Sequence, residues 1–176
     1  MAYRPKMEIT RTDPPAVADE REMLLSWLDF HRATLERKCE GLDAAALSRR
    51  SVPPSSMSLI GLVRHMSEVE RRWLQGRFAG LEVEPLYQRE EAPNAAFDEA
   101  EAADPAAALS TFRSECDRSR EIVDSASLDD IAPRPSGRRA LQPSLRYVLV
   151  HLIEEYARHN GHADLLREVI DGTVGV

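Results

Sequence analysis

One stretch, residues 144–172, SLRYVLVHLIEEYARHNGHADLLREVIDG, constrains this chain more than any other. It reads as a single long helix with a chemical stripe on it. His151, Glu155, His159 and His162 follow one another at spacings of four, four and three residues, so all four project from one side of a helix. At about 100° per residue, with His151 at zero, His162 falls near 20°, Glu155 near 40° and His159 near 80°. Val148, Leu152, Leu145, Ala163, Leu166, Tyr156 and Ile170 fall between roughly 60° and 140° on the same wheel. His159 therefore sits inside the arc that must face a core, and Glu155 sits at its border. An imidazole and a carboxylate one turn apart and half-buried each need a partner. A divalent metal satisfies both.

The rest of the chain bounds that idea. A length of 176 residues suits one domain over 1–176 with a real core, residues 1–13 forming an irregular arm. The net charge is −7 and acids and bases are interspersed, which disfavours a nucleic-acid surface. The first twenty residues lack the apolar segment of a signal peptide. No apolar run approaches membrane-spanning length. Cys39 and Cys116 are far apart and without CxxC spacing, so the expected compartment is a reducing cytoplasm and both read as ordinary helix residues.

In chain order, helices alternate with proline-rich connections. The first helix enters either at Asp13, with Pro14 and Pro15 in its first turn, or near Asp19, and stops at Gly41. Leu24, Leu28, Leu35 and Cys39 form its apolar stripe, with Arg32 oddly close to it. Residues 42–57 hold an Ala-rich turn and a double proline that forbids a continuous helix. The second helix spans roughly 58–79, capped by Ser58 or Ser56. Its core face is Leu59, Leu62, Met66, Val69 and Trp73; His65 flanks that face and Glu70 falls within it. Residues 80–103 lack periodicity and read as a long loop containing Tyr87 and Phe97, of the kind that covers a site. A third helix runs from Asp104–Pro105 to about Ser125, with Leu109, Phe112, Cys116 and Val123 inward. The segment APRPSGRRALQPS leads into the stripe helix. With no β alternation and no repeat, four long helices with two long connections predict an all-α four-helix bundle.

Glu155 and His159 offer two metal ligands from one helix, and His65 is the best third. Two histidines and a carboxylate leave coordination positions open, which favours water or substrate over a closed structural site. The register is not HExxH. Each residue also has a plainer reading. His65 and His159 could be buried histidines satisfied by hydrogen bonds, and Glu155 could pair with Arg158. His162 could be a fourth ligand, a catalytic helper or a donor to a ligand. His151 reads as a neighbour of the site or a surface residue, and His31 as structural. Arg32 and Glu70 are expected to pair with each other or with other buried polar groups. Trp27 and Trp73 read as packing residues.

The pattern LIGLVRHMSEVERRW followed by SLRYVLVHLIEEYARHNGHADLLRE resembles the DinB superfamily of metal-binding four-helix bundles, in an actinobacterial-type subgroup. The likeness runs from MLLSWLDFHRATL to REVIDG. It implies an up-down-down-up bundle and a metal held by His65, Glu155 and His159. The same His, Glu, His set is used by the mycothiol-dependent maleylpyruvate isomerases of that superfamily. Many members carry a glutamine three residues after the last ligand, where this chain has His162.

Two function classes follow. The first is a metal- and thiol-dependent transferase or isomerase acting on a small molecule. In it, mycothiol or bacillithiol is activated at the metal and His162 moves a proton. The second is a non-catalytic metal-binding or stress-response module, with a homodimer among its expected states. A third possibility is a bundle that has lost its metal. Zn²⁺ suits the ligand set best, and Ni²⁺, Fe²⁺ and Mn²⁺ are compatible. No GxSxG, phosphate-loop or dinucleotide motif supports another enzyme class.

Overall fold

The computed structural model describes residues 9–137 and 140–175. Its order is α1 (Glu20–Cys39), α2 (Ala44–Ser48), α3 (Leu59–Glu70) continued by a π-helical segment (Arg71–Phe78), α4 (Ala95–Asp98), a 3₁₀ turn (Ala100–Ala102), α5 (Pro105–Asp124) and α6 (Leu145–Asp171). Among the described residues there is no strand, only isolated bridges pairing Ile131 with Ser144 and Ser136 with Leu141. Most of the arm expected at 1–13 lies outside the described residues.

The long helices begin where a short polar side chain can accept an orphan backbone N–H. Asp19, Ser58, Asp104 and Ser144 cap α1, α3, α5 and α6. The entry at Asp19, not Asp13, is therefore the one used, and Asp19 accepts from the Glu22 N–H at 2.8 Å. α6 ends on Gly172 in the left-handed conformation, φ 77°, whose N–H returns to the Glu168 carbonyl.

End contacts set the topology. Arg146, at the start of α6, reaches Glu20 at the start of α1 at 2.7 Å. Arg167, near the end of α6, donates to the Lys38 and Glu40 carbonyls at the end of α1, both at 2.9 Å. These two helices run parallel. Arg21 near the start of α1 donates to the Val123 and Ala126 carbonyls at the end of α5. The Trp73 ring, near the end of the α3 unit, lies 6.2 Å from that of Tyr147 at the start of α6. Both central helices thus run against the outer pair, giving the up-down-down-up order.

Leu28 and Leu35 of α1, Leu59, Leu62, Met66 and Val69 of α3, Phe112 of α5, and Leu145, Leu149, Leu152 and Tyr156 of α6 form the core.

Two expectations are corrected. Residues 59–78 form one continuous helix, but its last two turns follow i→i+5 bonding, visible where the Ala79 N–H reaches the Leu74 carbonyl at 2.8 Å. Residues 80–103 are not a structureless loop. They contain α4 and the 3₁₀ turn, whose Ala95, Ala96 and Ala100 are buried against the bundle.

Candidate metal centre

His65 stands mid-helix in α3, at the border of the face that buries Leu62, Met66 and Val69. Because α3 and α6 are antiparallel neighbours, the middle of one meets the middle of the other. His65 and His159 lie with ring centroids 4.7 Å apart, edge to face. One ligand atom each from His65, Glu155 and His159 lie within 4.8 Å of one another. The His159 Nε2 is 3.5 Å from Glu155 Oε2. Tetrahedral ligand bonds near 2.1 Å place ligand atoms about 3.4 Å apart, so this pair is already at that spacing.

The charge states suit a cation. Burial, then the neighbouring His159, pushes the His65 pKa down to about 4, so its imidazole is neutral with a lone pair at neutral pH. The hydrogen bond with His159 outweighs burial and draws the Glu155 carboxyl down to about 2, so it is ionised. Apart from the histidines, the cation nearest Glu155 is Arg158, exposed and 3.9 Å away, too long for a close ion pair. Two imidazoles, one of them held neutral, and a carboxylate form a donor set that fits a borderline divalent ion.

Neighbours orient the donors. His151 is half-buried, packed on the Trp73 ring at 4.1 Å and stacked parallel to Tyr147. Its Nε2 is 3.4 Å from Glu155 Oε1, which leaves Oε2 toward His159. The Nδ1 atoms of His159 and His162 are 3.3 Å apart. A proton on His159 Nδ1, held toward His162, would leave Nε2 free to meet a cation in place of its hydrogen bond to Glu155. His162 is thus brought to the back of His159.

The aperiodic stretch lies over this centre. Phe97 stacks on His65 at 5.1 Å. Arg64 holds that cover by donating to the Ala96 and Ala95 carbonyls at 3.0 and 3.1 Å, its guanidinium over the Tyr87 ring. Glu68 Oε2 accepts from the Leu86, Tyr87 and Gln88 N–H groups at 3.0, 2.9 and 3.3 Å. One turn of α3 therefore both presents His65 and fastens its cover. Sequence reasoning picked out Tyr87 and Phe97 but missed Arg64 and Glu68. Their signal was a charged i,i+4 pair inside LIGLVRHMSEVE, where a core-facing helix has little reason to carry one.

The other singled-out residues lie elsewhere. Arg32 and Glu70 pair with each other, as expected, through two 2.8 Å bonds in the core. Cys39 and Cys116 are buried free thiols, and burial pushes the Cys39 pKa up to about 12. His31 contacts Asn160 on α6. A cleft of about 740 Å³ between α1 and α5 contains none of the three candidate ligands. Its arginines 113 and 120 are paired with Glu36, Asp29 and Asp117.

A protein-family model described as Mycothiol-S-transferase matches residues 23–172, which take in α1 from Met23 onward and the other three long helices whole. No curated protein and no solved structure matches the chain.

Proposed function

Since the chain belongs to the Mycothiol-S-transferase family, a DinB-like family, we propose that it is a divalent-metal-dependent transferase. It joins the sulfur of a low-molecular-weight thiol, mycothiol by family, to a small electrophile. The observation that carries this reading is the gathering of His65, Glu155 and His159, from helices far apart in sequence, into one cluster within 4.8 Å.

His65, Glu155 and His159 would hold the metal, and their two imidazoles and carboxylate suit Zn²⁺. A divalent ion there supplies Lewis acidity that lowers a thiol's pKa toward neutrality. The residues do the rest. Glu155 brings one negative charge, His65 and His159 bring ring nitrogens, and His151 and His162 keep carboxylate and imidazole in register. In this reading His162 positions His159 rather than touching substrate. Phe97 shields the His65 side from water. In the reaction the thiol S–H breaks, an S–C bond forms, and the electrophile's leaving group departs with the bonding pair while the proton passes to solvent. We place this in the cytoplasm, where low-molecular-weight thiols are reduced, in keeping with the two buried free cysteines.

The test is conjugation of mycothiol, with bacillithiol and glutathione for comparison, to a chlorinated fluorogenic electrophile in the presence of Zn²⁺. A metal-dependent rate above background that His159→Ala removes is expected. Background rates with every thiol and with Zn²⁺, Ni²⁺, Fe²⁺ and Mn²⁺ would overturn the reading in favour of a non-catalytic metal-binding module.

A further inference from the structure

The π-helical segment does something that an α-helix would not. Arg72 and Arg77 are five residues apart, which on an α-helix is about 140° of rotation. Under i→i+5 bonding, residues five apart stack on one side. Both arginines thus line one cleft of about 450 Å³ between the end of the α3 unit, the start of α6 and the backbone at Ser136 and Gly137. In a chain of net charge −7, no described carboxylate lines that cleft.

The cations are held in place, and although Glu68, Glu82 and Glu84 line an adjoining cleft that shares both arginines, none of them pairs with either. The Arg77 guanidinium sits 4.1 Å over the Trp73 ring. On another side is Gly137, at φ 72°, where a Cβ would lie 2.8 Å from Arg77 Nη2. Backbone bonds between Ser136 and Leu141 hold Ser136 in place. Among the described residues neither Arg72 nor Arg77 has an ion-pair partner, and the buried Arg72 Nε and Ser136 Oγ have no hydrogen-bond partner. Burial, then the like charge of Arg72, lowers the Arg77 pKa, as expected of two cations facing each other without an acid. The cleft ends at His151, whose far nitrogen touches Glu155.

We propose that Arg72 and Arg77, with Ser136, form an oxyanion-binding subsite beside the candidate metal centre, and that the electrophile carries a carboxylate or phosphate. Two guanidinium forks match the oxygens of such a group. The half-exposed Tyr147 ring gives its apolar body a surface, and the end of the cleft at His151 sets the anion beside Glu155. The assignment of the ligand as the electrophile rests on the transferase reading; the anion site itself does not.

Binding is measured on the zinc-loaded full chain by following the Trp73 indole N–H resonance while benzoate, phenyl phosphate or benzamide is added. Benzoate, phenyl phosphate or both shift it saturably, and benzamide does not; the tighter anion identifies the group the substrate carries. Arg72→Gln and Arg77→Gln each weaken binding at least about tenfold with zinc content unchanged. Arg77→Lys keeps part of it, and Arg113→Gln, on the far cleft, changes nothing. Equal response to benzamide, or full binding in Arg77→Gln, would overturn the subsite. A chain that binds benzoate through Arg77 yet conjugates no thiol would refute the transferase and leave the subsite standing.

Discussion

Two polar clusters hang from consecutive residues of α6, and they are built in opposite ways. Tyr156 turns into the core, where its hydroxyl donates to Glu70 Oε1 at 2.7 Å while Arg32 holds both Glu70 oxygens. Every member there is buried and complete. Burial raises the Glu70 pKa, but Arg32 and its hydrogen bonds win, so the carboxylate is ionised at full burial. Glu155, one residue earlier, meets two histidines at long range and only a distant arginine. The first cluster balances its own charge and needs nothing from outside. The second gathers lone pairs and a negative charge without supplying the positive one. Buried polarity alone does not mark a site; an unbalanced set of donors does.

The largest expected effect falls on the complete cluster. Glu70→Ala leaves Arg32 buried and unpaired and should cost roughly 3–5 kcal/mol in denaturant unfolding. His159→Ala, without metal, should cost far less. Equal losses would erase the distinction drawn here. Next, Zn²⁺ at a hundred times its Kd should stabilise the wild type by about 2.7 kcal/mol and leave His159→Ala unmoved. Elemental analysis should find about one metal per wild-type chain and background in the variant. His162→Ala should keep the site but weaken Zn²⁺ affinity about 10–100-fold, because His159 loses the partner that fixes its tautomer. No change in affinity would detach His162 from the centre.

The smallest effect is on pH dependence. In metal-free protein the His65 imidazole should titrate near pH 4 by NMR. Its folded pKa lies below the ordinary 6.5, so the unfolded chain binds more protons between the two values, and stability falls as pH drops through that window. Glu155 acts in the same direction between 4.5 and about 2. Arg32 and Glu70 are already matched and should contribute nothing between pH 6.5 and 4.5. A His65 that titrates at its ordinary value would mean that Phe97 and the residues around it do not shield it.

Much of this was legible in the residues. The 3.6-residue stripe of α6, its Ser144 cap and its Gly172 stop place that helix to the residue. The pairing of Arg32 with Glu70 could be expected because each stood alone on an apolar arc, where only a partner offsets desolvation. Other features left no such trace. The entry of α1 had two plausible signals, and the proline pair lost to the aspartate that reaches an N–H. Residues 80–103 read as loop because their short helical turns gain stability from burying Ala95, Ala96 and Ala100 under Arg64 and Glu68, not from any period of their own.

Local periodicity and capping, taken alone, determined four helices, which face of each is apolar, and that Glu155 and His159 share a side. These are properties of the chain within a few residues, fixed by backbone geometry and hydrophobic spacing. Only the tertiary structure decided that His65 meets that pair and that Phe97 lies over it. It also decided that the last turns of the α3 unit widen so that Arg72 and Arg77 line one cleft. Those outcomes depend on antiparallel packing between distant helices and on a backbone register set by neighbouring elements, for which composition and spacing carry no local signature.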